Sequence, residues 1–207
     1  MPRLVDRAQR RAHIAEAVLR LTARCGLEAV SLRDVAAEAG VSMGMVQHYF
    51  SSKDQMLLCA CAYLLERTNR RVREQLAAPS HPRAARAILR TVLAEILPLD
   101  EERRAATRVW MAFLARAVVE PDLEAFMRET WVGSHAVIAG LIRDARECGE
   151  LPAGVDPDRE AVVALSLADG LVSHLLLGHY SAAEALAAVD DELARLFAGA
   201  TQTEERP

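Results

Sequence analysis

Apolar residues recur at helical spacing along most of the chain, and capping serines, prolines and glycines cut that pattern into nine stretches. The first carries a stripe of Ile14, Ala17, Val18 and Leu21 behind a D-x-x-Q start at Asp6 and Gln9. It predicts a helix of about five turns that ends before Gly26. Leu32, Val35, Ala36 and Ala39 then mark one face of a second helix, predicted from Leu32 to Ala39 behind the N-cap Ser31. Gly40 stands where the chain must turn through positive φ. Ser42 caps a short third helix, and Val41, Val46 and Phe50 close over the second. A long helix is predicted from Lys53 to about Leu76, with Met56, Leu57, Ala60, Tyr63, Leu64 and Val72 available for burial, until Pro79 and Pro82 stop it. Five more helices follow: Pro82 to Leu97, Glu101 to Val119 behind Asp100, Pro121 to Cys148, Asp156-Pro157 to Leu177 or Gly178, and a last one opened by a Ser181/Glu184 capping box and ending near Gly199. No segment alternates with period two, so the fold class is all-α.

The segment from Ser31 to Lys53 organises the rest. With one side of the third helix committed to packing, Met43, Gly44, Met45, Gln47, His48 and Tyr49 remain on or near the other, and Gly44 costs that helix about 1 kcal/mol. Two short helices about a tight turn, the second left open on one side, fit the helix-turn-helix that enters the major groove of DNA. The ordered run of Leu32, Val35-Ala36, Ala39-Gly40-Val41-Ser42, Gly44, His48-Tyr49-Phe50 and Lys53 resembles the DNA-binding segment of the TetR family of bacterial regulators. It departs at Gln47, where many members carry an aromatic residue, and this puts a phosphate contact at that position in doubt.

The resemblance implies a three-helix head over residues 1–52, a helical effector-binding and dimerisation body over 53–200, and a double-stranded DNA operator as partner. The polar tail 201–207 is expected to be disordered. Tyr49, Lys53 and the Ser31 hydroxyl with the helix it caps are expected at phosphates, with Met43, Met45, Gln47 and His48 at the groove and Ser42 and Gly44 beside them. Lys53 is the only lysine of the chain. Arg3, Arg7, Arg10 and Arg11 form either a solvated helix start or further phosphate contacts, and the resemblance favours phosphates for some of them.

Composition narrows the function classes. At 52% hydrophobic residues and a mean hydropathy of +0.07, the 207-residue chain is neither disordered nor membrane-spanning in pattern. The charged N-terminus holds no signal-peptide core, which predicts a cytoplasmic protein. Residues 1–75 carry 12 basic and 8 acidic side chains, a net +4 that leaves −8 for the remainder. A basic front on an acidic body suits a chain that offers one end to phosphates, although so small a bias also arises by chance. Cys25, Cys59, Cys61 and Cys148 have no metal-ligand spacing and read as free thiols.

Neither catalytic motifs, cofactor loops nor metal constellations are found, so neither an enzyme nor a cofactor is expected. His174 and His179 are five apart and do not share a helix face. In the eighth stretch Val162, Val163, Leu165, Leu167, Leu171, Val172, Leu175, Leu176 and Leu177 leave little polar surface. The ninth offers Leu186, Val189, Leu193, Leu196 and Phe197 as a seam of coiled-coil type. The two helices either complete a monomer core or form a homodimer, with Leu171 and Leu193 at the seam; the resemblance favours the dimer. Trp110 and Phe113 on the sixth helix, Trp131 and His135 on the seventh and Asp169 on the eighth are either ordinary core or, since the resemblance implies a ligand pocket in the body, the contacts of a small, largely apolar effector. The reading is a regulator, a repressor released from a palindromic operator by that effector. Its alternative is an all-helical small-molecule binding protein whose head docks a protein partner.

Overall fold

Caps and turns place the helix ends in the computed structural model, which describes the backbone of residues 2–198 and the side chains of residues 7–198. The tail 201–207, the predicted end near Gly199 and the side chains of Arg3 and Asp6 lie outside the described residues. Among those described, the chain forms nine helices and no strand: α1 (Pro2–Cys25), α2 (Leu32–Glu38), α3 (Met43–Tyr49), α4 (Lys53–Ala77), α5 (Ala85–Ile96), α6 (Glu101–Ala117), α7 (Pro121–Glu147), α8 (Pro157–Leu176) and α9 (Ala182–Phe197). None of them is long and apolar enough to cross a membrane.

Two starts differ from expectation. Helix α1 is already helical at Pro2, so Asp6 lies inside it and is not its cap. A proline at the first helical positions has its φ preset and lacks only an N–H that would go unpaired there. Helix α5 begins at Ala85, three residues after Pro82, and Ala84 provides no side-chain cap. The Ala85 N–H instead donates to Glu150 Oε2 at 3.1 Å, from a residue 65 positions later. No local pattern announces a cap supplied from that distance. Elsewhere the local chemistry holds, with Asp156 accepting from the amides of Asp158 and Arg159, and Ser181 and Glu184 forming their reciprocal box.

The chain divides into two compact units, Met1–Arg70 with Arg104–Met127, and Arg71–Arg103 with Arg128–Pro207. In the first, Ile14, Val18, Val35, Val46, Phe50 and Leu57 share a core with Phe113 of α6. Leu114, next to Phe113 on α6, is exposed. Cys61 is buried in this core, which pushes its thiol up to about 12 and leaves it protonated and unreactive at neutral pH. In the second unit, Leu89 and Leu93 of α5, Ile138 and Ile142 of α7, Leu165 and Leu175 of α8, and Val189 and Leu193 of α9 form another core. Glu95 of α5 is buried there with both carboxylate oxygens engaged, by Arg71 Nε at 2.5 Å and by Gln75 Nε2 at 2.8 Å.

The second core overturns the expected seam. Leu171, Val189, Leu193 and Leu196 all pack within this one chain, and Leu193 is 1% exposed. What α9 leaves outside includes the opposite stripe of Ala183, Ala187, Asp191 and Ala194, with Glu184 and Arg195 at its edges. Helix α8 likewise buries Ala161, Ala164, Leu165, Ala168 and Val172 and leaves Val162, Val163, Ser166, Asp169 and Gly170 exposed.

Candidate nucleic-acid interface

Helix α3 has only seven residues, too few to be stable alone, and three local devices hold it. Gly40 adopts φ +64° and turns the chain out of α2. Ser42 Oγ accepts the Met45 N–H at 3.2 Å and satisfies one of the open donors of the first turn. Val46 is fully buried and fixes which side faces inward. Steps of about 100° per residue then put Met43, Gly44, Gln47 and His48 in one outward arc of about 140°, and all four are exposed. Met45 and Tyr49 are half-buried at its flanks, and the edge of the His48 ring meets Tyr49 with centroids 5.2 Å apart.

Gly44 has no internal reason to be glycine. Its φ is not positive, and an added Cβ would meet only Ser42 Oγ at an ordinary 3.9 Å. Helix α2 is braced from behind by α1, where Arg20 Nε and Arg24 Nη2 donate to Glu38 at 2.8 and 3.0 Å and hold its carboxyl below the usual glutamate range. His13 Nε2–H donates to the Ala39 carbonyl at 2.7 Å. The guanidinium of Arg11 lies 4.8 Å over the Phe50 ring, so this arginine packs on the head's own core. Arg7 is exposed at the same end of α1.

The two other helix starts differ in character. Ser31 caps α2 by accepting the Asp34 N–H at 3.2 Å, but its hydroxyl proton is donated to the Asp34 carboxylate, which places a negative group where an anion was expected. At α4, Ser52 Oγ accepts the Gln55 N–H at 3.1 Å while Gln55 Oε1 accepts the Ser51 N–H at 2.8 Å. Lys53, half-buried, is the first residue of that helix. The S-x-x-Q signal of this cap was present in the sequence and went unread. Arg116 of α6 reaches the same turn, with Nη2 3.1 Å from Asp54 and Nε 2.5 Å from Glu120.

Of the five expected effector contacts, Trp110 and Phe113 belong to the first unit and Trp131, His135 and Asp169 to the second. Phe113 is sealed in the first core and Trp110 packs against it. In the second unit Trp131 is 46% exposed and stacks on His135, with centroids 5.3 Å apart. His135 Nε2–H donates to the Asp158 carbonyl at 3.0 Å, at the start of α8. Asp169 is eleven residues further along that helix, about 16 Å by its rise. It is exposed and has no hydrogen bond or ion pair among the described residues, while desolvation by its surroundings raises its carboxyl above the usual aspartate range. His174 and His179, by contrast, do meet. Gly178 adopts φ +74°, the His179 N–H returns to the His174 carbonyl at 2.9 Å, and the two Nδ1 atoms come within 3.0 Å.

Comparison with known proteins agrees with this geometry. Residues 14–60 match the model of bacterial regulatory proteins of the tetR family, and residues 84–198 match that of the C-terminal region of BetI-type transcriptional repressors. The HTH-type transcriptional regulator PksA of Bacillus subtilis (strain 168) is 33% identical over 177 residues, 86% of this chain and 83% of the relative. The crystal structure of a transcriptional regulator from Rhodococcus sp. Rha1 is 29% identical with a TM-score of 0.76, covering 91% of this chain and 96% of that one. A regulator from Saccharomonospora viridis, solved in complex with choline, is 25% identical with a TM-score of 0.77 over 89% of this chain and 95% of its own. The family consists of regulators and not of enzymes, and its members bind DNA operators and small-molecule effectors. This chain, with its capped and outward-facing α3, belongs to the TetR family of DNA-binding transcriptional regulators.

Proposed function

We propose that the chain acts as a homodimeric repressor that leaves a palindromic operator when a small effector binds its body. The observation that carries the DNA contact is Gly44, a helix-weakening residue with no internal role in the centre of an exposed face. Close approach of a phosphate backbone gives it one. Gln47 and His48, with Met43 and the half-buried Met45, read base edges beside it, while Tyr49, Ser42 and Lys53 hold phosphates. Ser31 contributes as a cap more than as a ligand, since its proton is turned to Asp34. The face lacks the spaced large apolar anchors of a protein-docking helix.

Gly44→Ala tests this. The free protein should gain up to about 1 kcal/mol of stability, whereas affinity for the duplex upstream of its own coding sequence should fall. Unchanged affinity would remove the close-approach reading.

For the dimer, the exposed faces of α8 (Val162, Val163, Ser166, Gly170) and α9 (Ala183, Ala187, Ala194) offer apolar and small side chains that let helices of two copies approach closely. For the effector, the carboxylate of Asp169, without a hydrogen bond or ion pair among the described residues and raised in pKa by its surroundings, favours a small organic cation with apolar substituents over a purely apolar molecule. The choline bound by the Saccharomonospora viridis regulator supports that class. Calorimetric titration with choline is expected to show binding that Asp169→Asn removes. Release of the operator then follows from a higher effector affinity in the conformation that does not fit DNA.

A further inference from the structure

We propose that His174 and His179, at the turn from α8 to α9, form a two-nitrogen chelate for a divalent transition ion of the nickel, copper or zinc type. The turn builds the site. Bonds from the His179 N–H to the His174 carbonyl at 2.9 Å and from the Gly178 N–H to the Leu175 carbonyl at 3.3 Å fold the chain back, with Gly178 in the left-handed conformation that permits it. The His174 and His179 rings are thereby held with centroids 5.3 Å apart and Nδ1 atoms 3.0 Å apart, and Tyr180 flanks the His174 ring at 5.3 Å. Two imidazole nitrogens each about 2.1 Å from one ion and at a right angle to each other stand about 3.0 Å apart, so the observed spacing equals the bite of a cis pair.

Both histidines are exposed, and neither has another polar partner among the described residues. The other four histidines differ: His13, His81 and His135 are tied to backbone carbonyls, and His48 lies on the exposed outward face of α3.

In the ion-free pair one ring donates its Nδ1–H to the other. To bind an ion that ring moves its proton from Nδ1 to Nε2 through water, which frees a second lone pair and changes no net charge on the protein. Modest rotation of the two exposed rings then aims both lone pairs at one point. No third His, Cys, Asp or Glu stands close enough to complete a cluster among the described residues, so water fills the remaining positions. Imidazole nitrogen selects for borderline transition ions over magnesium and calcium. The site is independent of the operator and effector readings above.

The test is calorimetric titration of the full chain, free of any affinity tag, with nickel chloride and with zinc chloride near neutral pH. One ion per chain is expected, with His174→Ala and His179→Ala each weakening binding by at least about tenfold, and with His81→Ala and magnesium chloride as silent controls. Melting temperature should rise with added nickel in the parent chain and stay level in the two variants. Absence of binding by the parent chain would overturn the chelate. So would equal affinity in all variants, or a loss confined to one of the two histidines.

Discussion

Met43, Gly44, Gln47 and His48 on α3, and Ala183, Ala187, Asp191 and Ala194 on α9, are both faces that the chain leaves outside its own cores, yet they are opposite in kind. Helix α3 buries one residue completely, Val46, and depends on a cap and a turn for its existence. Helix α9 buries Ala185, Val189, Leu193 and Leu196 and would be held by that stripe alone. On α3 the outward face combines adaptable polar groups with a glycine that serves nothing inside. On α9 it is three alanines and Asp191, with Glu184 and Arg195 exposed beside them. The face proposed for DNA is therefore recognisable from what it carries, whereas the face proposed for a second copy of the same helix is recognisable only from what the core has not used.

Leu193→Glu would break this comparison most severely. With Leu193 in the core of the second unit, an unpaired charge there should cost about 4 kcal/mol or more. Urea melts should show a largely unfolded chain; a folded monomer would return Leu193 to an intermolecular seam. Ala187→Glu sharpens the same contrast from the outer face. Its effect on protomer stability should stay within about 0.5 kcal/mol, while sedimentation shifts from dimer to monomer and operator affinity drops with it. An unchanged dimer would place the interface on other elements.

At the head, Lys53→Ala should weaken all duplexes alike and lower the slope of log affinity against log salt by about 1. A change in which bases are preferred would instead make Lys53 a reader of sequence.

Asp169→Asn should give the smallest effect. Because its folded carboxyl titrates above its unfolded value, the favourable contribution of the neutral acid is complete below the unfolded value and is lost as pH rises through the folded one. The variant should therefore melt above the parent chain at neutral pH, with the gap closing in acid. A gap of opposite sign would reveal a cation that stabilises the charged form.

The helices of this protein, their order and the recognition helix were legible in the sequence because each depends on neighbours within a turn or two. Ser42 caps Met45, Gly40 turns the chain, and apolar residues at 3 and 4 spacing mark the inner face without reference to anything distant. The same locality specified Ser52 with Gln55, although that signal was missed. Tertiary structure alone decided what lies against each face. Whether Leu193 meets its own chain or another, whether Ala85 finds a cap in Glu150, and whether Asp169 has a partner are questions of contact between residues tens of positions apart. Periodicity is silent on them, because burial against one's own core and burial against a second copy impose the same pattern on a helix. The meeting of His174 with His179 needed still less distance but one more fact, the left-handed turn at Gly178, which undid the helical geometry that had set them apart.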